Sequence, residues 1–236
     1  MHSMPTKLSL IKTLLACFTW LLPVIAFGHG VDESTQQFLS SNNGVAIGPF
    51  LYIGAKHMVT GYDHLLFLVG VIFFLYRSKD IFIYVSFFTL GHSATLLLGV
   101  YNDINVNAFL IDGIIGLSIV YKGFDNLGGF KRLFGYQPHA RGAVLVFGLI
   151  HGFGLATKLQ EFSFGGDGLL ANLVAFNVGV EIGQFIALSF ILIGLSYWRR
   201  HESYLKFSVA TNSLLMCGGG VLTLYQFTGY VINTGV

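Results

Sequence analysis

The residues in this chain best suited to chemistry are histidines and acids set among apolar residues. His57, Asp63 and His64 fall within the single stretch His57-Met58-Val59-Thr60-Gly61-Tyr62-Asp63-His64. His92 and His151 follow inside later apolar runs, together with Asp112, Asn177, Glu181 and Gln184. Imidazole with carboxylate suits zinc, nickel, cobalt, iron or Cu(II), whereas Cu(I) prefers thiolate and thioether. Downstream of residue 28 the soft donors are only Cys217, Met58 and Met216, which argues against a Cu(I) path. A lone histidine within a span would serve equally well as an interhelix hydrogen-bonding group. A set of ionisable residues at one depth is harder to explain that way, because such residues are costly in hydrocarbon and rarely idle.

The elements that must position these groups are membrane helices. Of the 236 residues, 54% are hydrophobic and 10% charged, and the mean hydropathy is +0.70. A soluble domain carries about 25% charged residues. In lipid the backbone must satisfy its own polar groups, and long apolar runs without alternation favour helices over a barrel. The net charge of +2, with no large basic cluster, excludes nucleic acid as an expected partner. No nucleotide-binding loop is present, so no nucleotide is expected either.

Residues 1–28 read as a signal peptide: Lys7 and Lys12 precede the apolar run Leu14–Phe27, and Ala26 and Gly28 set up cleavage before His29. The new terminus would pair an amine with the His29 imidazole, a possible terminal chelate. A polar extracytoplasmic segment, 29–44, leads to a transmembrane domain over 45–236. The run from Val45 to Tyr76 exceeds one span, and Pro49 and Gly61 offer breaks. This predicts a short helix near 49–59 lying in the outer interface, then a span over 61–76. Further spans are expected near 80–99, 107–121, 141–158, 169–197 and 207–227. The fold class is therefore an all-α polytopic bundle with six spans after a cleaved signal.

Loop charge alternates. Arg77, Lys79, Lys122, Lys131, Arg132, Arg141, Arg199, Arg200 and Lys206 share one side; Asp32, Glu33, Asp103, Glu161 and Asp167 share the other, with Lys158 the exception. The positive-inside rule places the basic side in the cytoplasm of a bacterial-type inner membrane and both mature termini outside. On this frame His92 and His151 each lie seven residues, about 10 Å, below the outer ends of their spans. Asp63, His64, Asp112, Asn177 and Glu181 enter the same outer half. Asn177, Glu181 and Gln184 are spaced i, i+4, i+7 on one face, and Thr89, His92 and Ser93 form another stripe. Gly179 and Gly183 allow close helix approach. The pattern Phe88-x-Leu90-x-His92 is echoed by Phe147-x-Leu149-x-His151, an internal repeat or a coincidence of Leu/Phe-rich sequence.

The stretch from His57 to His64, running into Leu65-Leu66-Phe67-Leu68, resembles the signature of the HupE/UreJ proteins. These are small membrane proteins regarded as nickel or cobalt permeases and associated with hydrogenase and urease systems. The family pattern is His-Pro-x-x-Gly-x-Asp-His, and Met58 stands here where proline is usual. Ile150-His151-Gly152-Phe153-Gly154 resembles a second family feature, a His-Gly pair in a later span, without its extension by another His and a Glu. The resemblance implies that His57, Asp63, His64 and His151 handle a divalent metal ion such as nickel, cobalt or zinc; His92 and Glu181 are added from depth and phase. On the residues alone a metal-sensing or accessory subunit without turnover stays open, beside two further functions. One is transport of a divalent cation through the bilayer. The other is an intramembrane metal-dependent hydrolase using a His/Asp-bound metal, with Glu181 as general acid or base.

Overall fold

The structure is a computed structural model that describes residues 44–160 and 168–235. The expected signal peptide, His29 and the loop acids Glu161 and Asp167 lie outside the described residues. Among those described, every element is helical: α1 Ile47–Thr60, α2 Tyr62–Ile72, α3 Ser78–Tyr101, α4 Ala108–Asn126, α5 Gly129–Phe134, α6 Ala140–Gln160, α7 Leu169–Trp198 and α8 Ser203–Thr234. Four of them, α3, α6, α7 and α8, are long and apolar enough to cross a membrane. α4 has 19 residues but carries Asp112, Lys122 and Asp125, and α1 and α2 are individually short, at 14 and 11 residues.

The long helices pack as pairs that glycine brings to backbone contact. α1 runs beside α7 in the same direction: Gly54 meets the Phe176 carbonyl, Gly179 meets that of Leu51, and Gly183 that of Ala55. α3 and α6 also run parallel, with Gly148 against the Phe88 carbonyl and Gly152 against that of His92. α4 and α8 are antiparallel, Gly113 lying under Phe227 and Gly123 beside Met216. A β-carbon at these crossings would overlap a neighbouring carbonyl or ring, so glycine here serves close approach. α2 completes the core, packing Phe67 against Phe88 and Phe147 at ring-centroid distances of 5.4 and 5.8 Å.

Two expectations change. The helix expected to lie flat in the interface instead stands lengthwise against α7. Glycine-mediated backbone contact along its length outweighs any interfacial preference of a short helix. The break predicted at Gly61 is present, with extended ψ of 101° at φ −71°, and it divides α1 from α2 in the middle of the bundle. The helices also run slightly past their expected ends, to Tyr101 and Gln160. His92 and His151 therefore stand nine residues from those ends, about 14 Å, near the middle of their helices.

Candidate metal centre

Each member of the centre is placed by an identifiable device. Gly61 interrupts the helix, and Asp63 falls in the first turn of α2, where a negative side chain suits exposed N–H groups. His64 follows directly, and its Nδ1 lies 3.0 Å from Asp63 Oδ1. Gly61 makes room for this pair: a β-carbon there would sit 2.7 Å from His64 Nδ1 and 3.2 Å from Asp63 Oδ1. His57 comes from the last turn of α1. His92 and His151 come from the parallel α3 and α6, which places the two echoed histidines side by side across one helix pair.

His64 is the hub of the arrangement. Its ring centroid lies 5.0 Å from His57, 5.2 Å from His151 and 6.5 Å from His92. Asp63, His64 and His151 each offer one ligand atom, all within 4.8 Å of one another. Asp63, His64, His92 and His151 are at most 3% exposed, so any charge they carry or bind is shielded from water and lipid. Phe67 and Phe88 close around them, with centroids 5.6 and 5.0 Å from His151.

Hydrogen bonding orients the donors. A backbone carbonyl can only accept, so His151 Nδ1 carries the proton in its 2.7 Å bond to the Phe147 carbonyl. The lone pair of His151 is thereby fixed on Nε2, which is buried without a hydrogen-bond partner. Both ring nitrogens of His92 are likewise buried without a partner. Buried polar atoms are almost always satisfied, so the His151 lone pair, and the one nitrogen of His92 that does not carry the ring proton, are open to an electron-pair acceptor. Asp63 beside His64 is the carboxylate–imidazole pairing that fixes a tautomer and raises ligand basicity.

The remaining candidates lie elsewhere. Asp112 does not join the cluster; it pairs with Lys158 Nζ across α4 and α6 at 2.7 Å. That pair also accounts for the basic exception in the loop-charge pattern, since Lys158 has a buried counter-charge. Asn177 accepts from Ser93 Oγ at 3.1 Å and Gln184 from Thr89 Oγ1 at 2.9 Å, joining α7 to α3. Glu181, on the same face, lines a separate cavity between α3 and α7. The i, i+4, i+7 face is therefore real, and it turns toward α3 rather than toward the histidines. Sequence reasoning missed the Phe147 carbonyl that orients His151, which no side-chain pattern reveals.

No curated protein and no solved structure matches the chain. The family model for the HupE / UreJ protein matches residues 33–234, a span that contains every described helix of the bundle, His64 and the four residues around it. The chain belongs to the HupE/UreJ family.

Proposed function

We propose that this protein carries a divalent transition-metal ion, of the nickel or cobalt kind with zinc also within its chemistry, across the inner membrane. The ion is its substrate. The observation that carries the reading is the convergence of Asp63, His64 and His151 ligand atoms within 4.8 Å, with His57 and His92 flanking them at mid-bundle. Two ligand bonds of about 2.1 Å span at most about 4.2 Å. A side-chain closure of several tenths of an ångström therefore completes a common site. Asp63, His64 and His151 would hold the ion, each through one ligand atom, with His57 and His92 as the donors through which it arrives and leaves.

The broken helix supports transport. Irregular backbone at membrane depth occurs where it is buried in protein or lines a path, and transporters place substrates at such breaks. In this reading α1 and α2 form one interrupted span, α4 is a charged span held by Asp112–Lys158, and the total is six. The Arg/Lys-rich loops face the cytoplasm and both ends of the mature chain face outward. The hydrolase alternative placed Glu181 beside the ion, and Glu181 opens instead into the α3–α7 cavity. Transport is the better account.

The test is uptake of Ni²⁺, Co²⁺ and Zn²⁺ into vesicles holding purified protein, with His64→Ala as control. Transport predicts that at least one ion accumulates above the control. No accumulation of any ion would refute the proposal.

A further inference from the structure

His64, His92 and His151 share a second feature. One turn from each, toward the Arg-rich end, stands a phenylalanine on the same helix: Phe67 after His64 on α2, Phe88 before His92 on α3 and Phe147 before His151 on α6. Phe67 is the middle ring, with centroid distances of 5.4 Å to Phe88 and 5.8 Å to Phe147. Tyr121 extends the layer onto α4, 5.1 Å from Phe147. Phe67 and Phe88 are 1% and 3% exposed. An ion held by the histidines thus faces an apolar septum on the way to the Arg-rich end, and such a constriction stops a hydrated ion until it parts.

α2 is held differently from its neighbours. Glycines join α1 to α7, α3 to α6 and α4 to α8 at close backbone approach, whereas side-chain donors from other elements grip the far end of α2. Asn126 of α4 donates to the Gly70 carbonyl at 2.8 Å. Arg199, at the α7–α8 turn, donates to the carbonyls of Ile72 and Phe73, and the Tyr204 hydroxyl of α8 donates to that of Phe73 as well. The last carbonyls of a helix lack intrahelical partners, so these donors fill a need that the helix itself cannot. At its other end α2 begins at the Gly61 break. A rigid helix with a break at one end and exchangeable hydrogen bonds at the other is suited to hinge motion.

The lengths couple the two ends. Phe67 lies about 9 Å along the helix from Gly61, and Phe73 about 18 Å. A tilt of about 20° at Gly61 would move Phe67 by about 3 Å, the width of a water molecule. The same tilt carries the Phe73 carbonyl about 6 Å, beyond hydrogen-bond reach of Arg199 and Tyr204 where they stand. His64, about 4.5 Å from the break, shifts by about 1.5 Å, well past the roughly 0.2 Å that metal–ligand distances tolerate. One movement therefore parts the septum, breaks the grip and loosens the ion.

We propose that α2 is the inner gate of the ion path, with Phe67 as its plug and Arg199 and Tyr204 as the latch that keeps it shut. This rests on the transport reading above and adds to it the moving element. The structure is the state closed toward the Arg-rich end.

The experiment uses the full-length protein in sealed vesicles of known orientation, charged with one equivalent of Co²⁺. EDTA, which does not cross the bilayer, is added at the Arg-rich face or at the opposite face, and loss of the cobalt ligand-field absorption gives the stripping rate. The latch variant is Tyr204→Phe, which removes one hydroxyl and keeps the ring stacked on Phe73. The plug variant is Phe67→Leu. Stripping from the Arg-rich face should quicken about tenfold in Tyr204→Phe, the effect of one hydrogen bond lost from the closed state, and should quicken in Phe67→Leu too. Opposite-face stripping and Co²⁺ affinity in Tyr204→Phe should match those of the unaltered protein. An unchanged rate at the Arg-rich face in Tyr204→Phe overturns the inference, and so does equal acceleration at both faces, the mark of a bundle merely loosened. Should Tyr204→Phe fail to fold, Phe67→Leu decides by the same two criteria. Unaltered protein that binds no Co²⁺, or carries none into vesicles, overturns the transport reading instead.

Discussion

Replacing Gly61 with alanine separates the site from the fold. The new β-carbon would lie 2.7 Å from His64 Nδ1, 3.0 Å from the His57 carbonyl oxygen and 3.2 Å from Asp63 Oδ1. Restoring ordinary contact of about 3.5 Å moves the His64 ring by about 0.8 Å. Metal–ligand distances tolerate about 0.2 Å, and the 3.0 Å bond to Asp63 cannot follow such a shift intact. Disturbing groups that orient a ligand lowers metal affinity about 10–100-fold, or about 1.4–2.7 kcal/mol. The backbone does not resist the change, since φ is −71° and ψ 101°, a region alanine enters freely. Loss of glycine's freedom in the unfolded chain even favours the variant by about 0.4–1 kcal/mol. Co²⁺ titration and thermal unfolding of the same sample should therefore show weaker binding with unreduced stability. Affinity equal to that of the unaltered protein would refute the packing argument for Gly61.

Asp63→Asn should weaken Co²⁺ binding about 10–100-fold, because the amide neither carries the charge nor fixes the His64 tautomer. Isothermal titration reads this directly. Lys158→Met removes the cation paired with buried Asp112 and should destabilise the protein by up to about 3–5 kcal/mol. The double variant with Asp112→Leu should recover most of the loss, both effects being read as thermal midpoints in one detergent. Gly148→Val forces a side chain against the Phe88 carbonyl and should separate α3 from α6. It should lower both the thermal midpoint and Co²⁺ affinity, since His92 and His151 stand one turn beyond that crossing, one on each helix.

Much of this arrangement can be read from residue types. The break at Gly61 follows from an apolar run too long for one span, and α3, α6 and α7 fall within two residues of their hydropathy limits, whereas α4 and α8 run on to Asn126 and Thr234. Asp63, His64 and His151 stand out because imidazole and carboxylate are rare in hydrocarbon. Helix ends were less legible, since α3 continues to Tyr101 and α6 to Gln160, past the hydropathy limits. Partner choice was hidden. Periodicity puts Asn177, Glu181 and Gln184 on one face but does not say which helix that face meets, and Asp112 finds Lys158 46 residues away. The stance of α1 depends on Gly54 meeting Phe176 and on Gly179 and Gly183 meeting Leu51 and Ala55, a match between two helices more than a hundred residues apart. A short helix with a proline near its start reads alone as interfacial.

The most direct measurement is X-ray absorption at the cobalt or nickel K-edge on protein loaded with one equivalent of ion. The account predicts nitrogen and oxygen neighbours at about 2.0–2.2 Å, outer-shell scattering from at least two imidazoles, and loss of that scattering in His64→Ala. An ion surrounded only by oxygen, with no imidazole scattering, would contradict it.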